Sequence, residues 1–192
     1  IDGGSLEHIF NLPQALKNCS SLLKPGGQIL HILPANNQCG HGFYQFSPEL
    51  FFSLYSSENG YSETEVFLAD LTKKHEWFKV RQPKDGKRVN VKNANRLYIL
   101  VRSVLAEGAF DHSNVQQSDY LYEWKDSDKD KNEKGSKNSN FKEKLKKYPL
   151  IFETTRSFYY LFLKFRTSFS QSDQLSVRNA GLTRVKIKDL IG

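Results

Sequence analysis

Residues 22–36, LLKPGGQILHILPAN, decide how this chain of 192 residues folds. Pro25 disfavours helical backbone at the residue before it, so a helix that reaches this point ends here. The two glycines that follow give the backbone the freedom that a sharp turn needs. Residues 28–33 form a short and mostly apolar run, which is typical of a strand covered on both faces. In open α/β sheets ligands bind beyond the carboxyl ends of the strands, so we expect the functional site just after Leu33.

The residues before this turn predict a helix and, ahead of it, the end of an earlier strand. Asn11 is a suitable N-cap, and Pro13 is tolerated in a first helical turn. Apolar side chains recur at helical spacing over residues 12–23, so the helix should end at residues 24–25. Residues 1–10 pass from a strand end through a glycine pair to a polar cluster. Strand end, helix and strand together indicate the second part of a βαβ crossover, and hence an α/β fold.

Further elements are predicted downstream of the polar loop. Residues 47–49, SPE, supply a helix cap followed by proline at the first helical position. Residues 66–69 are a second buried-strand candidate, and residues 96–104 form the most β-rich run in the chain. Between them, residues 73–92 are basic and contain a turn signal. The α/β segment should end near residue 107.

The composition changes after that point. Residues 108–147 are polar and largely of low complexity, so we expect a linker that cannot bury a core. Residues 148–192 are predicted to form a helical C-terminal extension, with one helix from about 141 to 169 whose centre is aromatic. This tail would cover the domain or pair with a second copy of the chain. Its lysines and rings leave a membrane surface open as a partner, and nucleic acid is less favoured.

Composition narrows the possible classes of protein. The net charge is +7 and the mean hydropathy is −0.59, and no apolar run is long enough to predict a transmembrane span. Cys19 and Cys39 form neither a disulfide framework nor a metal box, which fits a reducing, cytoplasmic location. The chain begins at Ile1 and contains no methionine, so we expect a fragment whose first strand starts upstream.

Several of these segments resemble the second half of class I S-adenosylmethionine-dependent methyltransferases. Residues 2–9, DGGSLEHI, resemble the end of that family's fourth strand, and residues 23–27, LKPGG, the turn into its fifth. Residues 66–71 and 97–104 would then be strands six and seven, an antiparallel edge hairpin. Residues 40–49, GHGFYQFSPE, resemble the active-site loop of small-molecule methyltransferases. The resemblance covers residues 1–107 and implies the C-terminal part of a Rossmann-like sheet, strands four to seven.

The resemblance also implies a cofactor side. The family's chain passes close to the methionine end of S-adenosylmethionine at the positions of Asp2, Gly3, Gly4 and Ser5, where small residues allow a close approach. An ordinary tight turn would have the same composition. The family's glycine-rich loop and its acidic residue for the ribose are not present in this chain. We therefore expect residues 1–192 alone to bind the cofactor weakly or not at all, and to be inactive alone.

The acceptor side is implied by five residues. His8 and His41 would be the catalytic base or substrate contacts, because an imidazole accepts a proton near neutral pH, and Glu7 would orient His8 or a substrate amine. Tyr44 and Phe46 would wall an apolar substrate pocket. The alternatives are a charge pair at a helix entry for Glu7 and His8, and core packing for the two aromatic rings.

Two further expectations concern histidines and metals. His31 alternates with apolar neighbours in its strand, so it should be a core residue with its polar atoms satisfied. No spacing of histidine, cysteine and acidic residues predicts a metal site.

The sequence therefore favours an enzyme that methylates an O or N of a small molecule, a sugar or a metabolite. The alternative class is a non-catalytic α/β module whose basic aromatic tail binds a membrane or another macromolecule. A degenerate methyltransferase without activity is a third reading. A glycine-rich loop encoded upstream of Ile1 would favour the enzyme.

Overall fold

The computed structural model describes residues 1–73, 75–84, 87–106, 110–113, 115–123, 157–158, 161, 175–176 and 178–191. The chain divides into two compact units, one of Ile1–Tyr122 with Ser172–Gly192 and one of Glu123–Gln171. In the second unit the described residues 157, 158 and 161 are helical. Two predicted segments lie mostly outside the described residues: the linker of residues 108–147 and the aromatic helix of residues 141–169.

The first unit contains a five-stranded sheet. Its strands are β1 (Gln28–Pro34), β2 (Tyr61–Asp70), β3 (Glu76–Val80), β4 (Leu97–Leu105) and β5 (Leu182–Lys186). They lie in the order β1-β4-β2-β3-β5, and each neighbouring pair is antiparallel. In addition, Asp2 forms a parallel bridge with His31 of β1. The fold is therefore mixed α/β with an antiparallel five-stranded sheet, which agrees with the predicted class in this coarse sense. A Rossmann-like sheet is normally parallel, and that part of the prediction stays a prediction.

Two helices contribute to the core, α1 (Leu12–Ser21) and α2 (Pro48–Leu54). Both begin as the sequence predicts, because the side chains of Asn11 and Ser47 each accept a backbone N–H of the first helical turn. A short 3-10 turn, Leu6–His8, precedes α1.

Helix α1 ends earlier than residues 24–25, where the sequence places its end. The hydroxyl of Ser20 donates to the Leu16 carbonyl at 3.1 Å, and the hydroxyl of Ser21 donates to the Asn18 carbonyl at 2.7 Å. Such side-chain hydrogen bonds compete with those of the helix backbone and weaken its last turn.

The glycine pair forms the predicted sharp turn. Gly26 has a φ of 78°, in the left-handed region that favours glycine. Its N–H donates to the carbonyl of Leu105 at 2.8 Å, and the Gly27 carbonyl accepts the N–H of Leu105 at 2.9 Å. These two bonds join the turn before β1 to the end of β4.

The sheet extends further than the sequence indicates. Strands β2 and β4 pair antiparallel, as expected for strands six and seven, but they are not at an edge. Strand β3 lies within residues 73–92, which had predicted only a turn-containing stretch. Strand β5 lies within the predicted helical extension, so the extension is not helical there. Both are short strands with charged residues, and their pairing joins residues about a hundred positions apart in the chain.

One face of the sheet carries the core. Leu33, Ile99 and Leu68 lie side by side on β1, β4 and β2, and all three are buried. On the opposite face of β1, Ile32 is 44% exposed. The prediction that β1 is covered on both faces is therefore wrong, because its residues alternate between a buried and a partly open face.

Within the part of the chain that the structure describes, the helices are too short or too polar to cross a membrane.

Candidate functional site

Two segments meet at one edge of the sheet. The N–H of Asp2 donates to the Leu30 carbonyl at 2.8 Å, and the Asp2 carbonyl accepts the N–H of Ile32 at 2.9 Å. The segment that contains Asp2, which we call the first segment, therefore runs parallel to β1 at this point. Both segments leave the sheet at the same edge. Beyond that edge the N–H of Phe43 donates to the Glu7 carbonyl at 2.7 Å. This bond holds the loop after β1 against the 3-10 turn that carries Glu7.

The meeting point brings together three predicted site residues, Glu7, His8 and His41, which we call the Glu7 cluster. The Oε1 atom of Glu7 lies 3.4 Å from Nε2 of His41 and 3.7 Å from Nε2 of His8. The two imidazole rings lie 5.3 Å apart between centroids, at an angle of 65°. The two histidines are more than thirty positions apart in the sequence, yet both lie beside the carboxylate of Glu7.

Burial divides the cluster into an inner and an outer part. The side chain of Glu7 is 2% exposed, whereas those of His8 and His41 are 54% and 50% exposed. Among the described residues, no hydrogen-bond partner reaches the second carboxylate oxygen, Oε2, which is buried. A buried carboxylate oxygen without a partner destabilises a fold, and such groups concentrate where a protein binds or reacts.

Two glycines allow the backbone to wrap closely around Glu7. Gly4 and Gly42 have φ values of 102° and 76°. A Cβ atom on Gly42 would lie 2.7 Å from the Glu7 carbonyl oxygen, and one on Gly4 would lie 3.1 Å from Oε1. The buried position of Glu7 therefore depends on glycine at both places.

The four predicted cofactor residues lie in the turn before the cluster. Burial raises the pKa of the Asp2 carboxyl, but hydrogen bonds from the His31 imidazole and the Ser5 N–H outweigh it and hold the pKa below its ordinary value. Gly3 and Ser5 are exposed, and no atom lies within 4 Å of a Cβ built on Gly3. The cofactor role of Asp2, Gly3, Gly4 and Ser5 stays a prediction.

His31 is a core residue, and that prediction is confirmed. It is 1% exposed, its Nδ1 lies 3.1 Å from Oδ2 of Asp2, and its Nε2 lies 2.7 Å from the Tyr55 hydroxyl. Burial raises the pKa of Tyr55 well above its ordinary value, so the hydroxyl keeps its proton and donates it to Nε2. Nδ1 then donates to Asp2, and both ring nitrogens are satisfied. We call these three residues the Asp2–His31–Tyr55 chain.

The two predicted substrate residues occupy different environments. Phe46 is 4% exposed and packs against Phe51 in the core, with ring centroids 5.8 Å apart. Tyr44 is half-buried, and its hydroxyl donates to the Phe10 carbonyl at 2.7 Å. Their role as pocket walls stays a prediction.

Beside the Glu7 cluster the structure adds two aromatic residues that the sequence reasoning missed. Phe10 and Phe43 are 80% and 67% exposed, and their rings meet edge to face at 6.2 Å. A sequence signal exists, because each of the two rings lies two residues from a histidine of the cluster. Exposed rings of this kind favour binding of a planar or apolar group.

A separate surface cleft lies near α2 and β2. Polar side chains line it, including Glu49, Glu58 and Glu63, and it contains no residue of the Glu7 cluster. Glu49 is already engaged there, since its Oε1 accepts the Ser118 N–H at 2.7 Å.

Comparisons with family models, curated proteins and solved structures give no match for the chain.

Proposed function

We propose that this chain is the acceptor side of an S-adenosylmethionine-dependent methyltransferase that methylates an O or N of a small molecule. The observation that carries the proposal is the position of the Glu7 cluster beyond the edge at which the first segment and β1 leave the sheet together. In open α/β sheets ligands bind beyond the carboxyl ends of parallel strands, and the segment at Asp2 is parallel to β1 at this place.

The strand arrangement supports the same proposal. The first segment is parallel to β1, and β4 lies antiparallel between β1 and β2. Strands β2 and β4 pair antiparallel, as strands six and seven do in the family that residues 2–9 and 23–27 resemble. The parallel contact at Asp2 is short, and β3 and β5 are additions on the far side of β2.

The turn of residues 2–5, before the Glu7 cluster, has some features that a cofactor site needs. The exposed Gly3 and Ser5 leave room for a bound group at this edge. Each carboxylate oxygen of Asp2 already accepts one hydrogen bond within the fold, and each keeps a second lone pair for a bound group. The family's glycine-rich cofactor loop is not among residues 1–192, so we expect this chain alone to bind S-adenosylmethionine weakly or not at all.

S-adenosylmethionine, when bound, supplies an activated methyl group, so the chain needs only to align the acceptor and accept its proton. The half-exposed imidazoles of His8 and His41 are placed to take that proton from an O–H or N–H group. The Glu7 carboxylate, within 4 Å of both rings, stabilises the imidazolium that forms. Phe10 and Phe43 hold the acceptor beside them.

The test is calorimetry with S-adenosylhomocysteine on the 192-residue chain and on any longer chain that the gene encodes; a gene that encodes no further glycine-rich loop would overturn the proposal. We expect micromolar binding to the longer chain and weak or no binding to the shorter one. Absence of binding to the longer chain would overturn the proposal. Micromolar binding to the 192-residue chain would overturn the expectation that this chain alone lacks a complete cofactor site.

A further inference from the structure

We propose that Glu7, His8 and His41 bind a divalent transition-metal ion, with Zn²⁺ as the best chemical match. The proposal rests on the geometry of the cluster and does not depend on methyltransferase activity. The nearest polar atoms of the three side chains lie within 4.8 Å of one another.

The distances within the cluster are those of ligands around an ion. Oε1 of Glu7 is 3.4 Å from Nε2 of His41 and 3.7 Å from Nε2 of His8. Both are longer than the usual length of a hydrogen bond from nitrogen to oxygen, about 2.9 Å. Ligand bonds of about 2.1 Å in a tetrahedral zinc site place neighbouring ligand atoms about 3.4 Å apart. Small rotations of the two half-exposed imidazoles therefore complete a site.

A second observation points to a missing positive partner. Glu7 is buried, and its Oε2 atom has no hydrogen-bond partner in the part of the chain that the structure describes. Burial of a carboxylate without compensation destabilises a fold, as the loss of one partner of a buried ion pair does. A cation held by Glu7 removes that penalty, because it binds one carboxylate oxygen directly and neutralises the charge on both.

The ligand types select the class of metal. Two imidazoles and one carboxylate suit zinc and other divalent transition metals, whereas Mg²⁺ and Ca²⁺ favour oxygen ligands. His8 and His41 are half-exposed, so a bound ion faces solvent and keeps a position open for water or for a donor atom of a bound small molecule. Three protein ligands and one open position are typical of catalytic rather than structural zinc sites.

The surroundings hold the ligands in place. The Gly42 backbone packs against Glu7 at a distance that excludes a Cβ atom, a Cβ on Gly4 would lie 3.1 Å from Oε1, and the Phe43 N–H donates to the Glu7 carbonyl. With the ion bound, the two imidazoles act as ligands instead of bases. In the proposed enzyme the open position would then receive the acceptor atom, which would lose its proton to solvent water on binding the ion; this one point rests on the proposed function.

The experiment is isothermal titration of the untagged, metal-free 192-residue chain with ZnCl₂, with MgCl₂ as a comparison. We expect one equivalent of Zn²⁺ to bind with a dissociation constant in the micromolar range or below, and no saturable binding of Mg²⁺. The variants Glu7→Gln and His41→Ala should each weaken Zn²⁺ binding at least about tenfold. Because the side chain of His41 is half-exposed, His41→Ala tests the site with little effect on folding, and circular dichroism checks both variants.

Matched controls separate this site from adventitious binding. His75 and Cys39 are exposed residues outside the cluster, so His75→Ala and Cys39→Ser should bind Zn²⁺ as the parent chain does. No stoichiometric Zn²⁺ binding by the parent chain would overturn the proposal. Undiminished binding by folded His41→Ala, or loss of binding in Cys39→Ser, would overturn it as well.

Discussion

Two groups of side chains, each with one acidic residue and at least one histidine, are built in opposite ways. In the Asp2–His31–Tyr55 chain, both carboxylate oxygens and both ring nitrogens have hydrogen-bond partners. In the Glu7 cluster, the carboxylate is more deeply buried, yet one of its oxygens has no partner among the described residues.

The difference separates a structural role from a binding role. A buried polar group with its partners in place stabilises a fold, and removal of one partner leaves the others unsatisfied. A buried carboxylate without partners lowers stability, and proteins retain such groups chiefly where they bind a ligand or react. We therefore assign stability to the Asp2–His31–Tyr55 chain and binding to the Glu7 cluster.

The largest effect should come from breaking the satisfied chain at its centre. His31→Ala removes a fully buried ring and leaves the Tyr55 hydroxyl and the Asp2 carboxylate without their partner. We expect the free energy of unfolding to fall by about 3 kcal/mol in urea denaturation. The control His75→Ala, at an exposed histidine, should change it by less than about 0.5 kcal/mol. Equal effects of the two substitutions would contradict the structural role of His31.

A smaller loss is expected from the glycine that encloses Glu7. In Gly42→Ala the new Cβ would meet the Glu7 carbonyl oxygen at 2.7 Å, at a φ of 76°. We expect a decrease of about 2 kcal/mol in the free energy of unfolding. Gly3→Ala is the matched control, because no atom lies within 4 Å of the place that its methyl group would take, and it should cost less than about 0.5 kcal/mol. Thermal unfolding of both variants checks the difference, and a tolerated Gly42→Ala would show that the loop does not pack tightly on Glu7.

The stability that the Asp2 carboxyl contributes to the Asp2–His31–Tyr55 chain depends on pH. Its pKa is lower in the folded chain than its ordinary value, so the ionised form stabilises the fold. This contribution is complete above the unfolded pKa of about 4 and is lost as the pH falls through the lower folded value. Asp2→Asn should therefore reduce the free energy of unfolding by about 1.5 kcal/mol at pH 7 and by less at pH 3. Urea denaturation at the two pH values measures it; a loss that grows toward low pH would contradict the account.

The sequence predicts the local elements because their signals are local. Asn11 and Ser47 cap the two helices, the glycine pair turns the chain, and the apolar run after it forms β1. His31 could be placed in the core from its alternation with apolar neighbours alone. The ends of elements are less predictable, as the early end of α1 at its two serines demonstrates.

Long-range pairing could not be predicted in the same way. Strands β3 and β5 are short and carry charged residues, so neither has a strong periodic signal. They pair with each other although about a hundred positions separate them in the sequence. The three members of the Glu7 cluster were each predicted as site residues, but no spacing indicated a common site. A backbone hydrogen bond between Phe43 and Glu7 creates it, and such a contact leaves no pattern in the sequence.

The most direct test of the central claim is thermal unfolding of three proteins with and without Zn²⁺, at about ten times the dissociation constant. The proteins are the parent chain, Asp2→Asn and Glu7→Gln. Zn²⁺ should raise the Tm of the parent chain and of Asp2→Asn by about 4 °C each, since ligand at that concentration adds about 1.4 kcal/mol. It should leave the Tm of Glu7→Gln unchanged. An equal shift in all three proteins, or none in the parent chain, would contradict the assignment of binding to the Glu7 cluster.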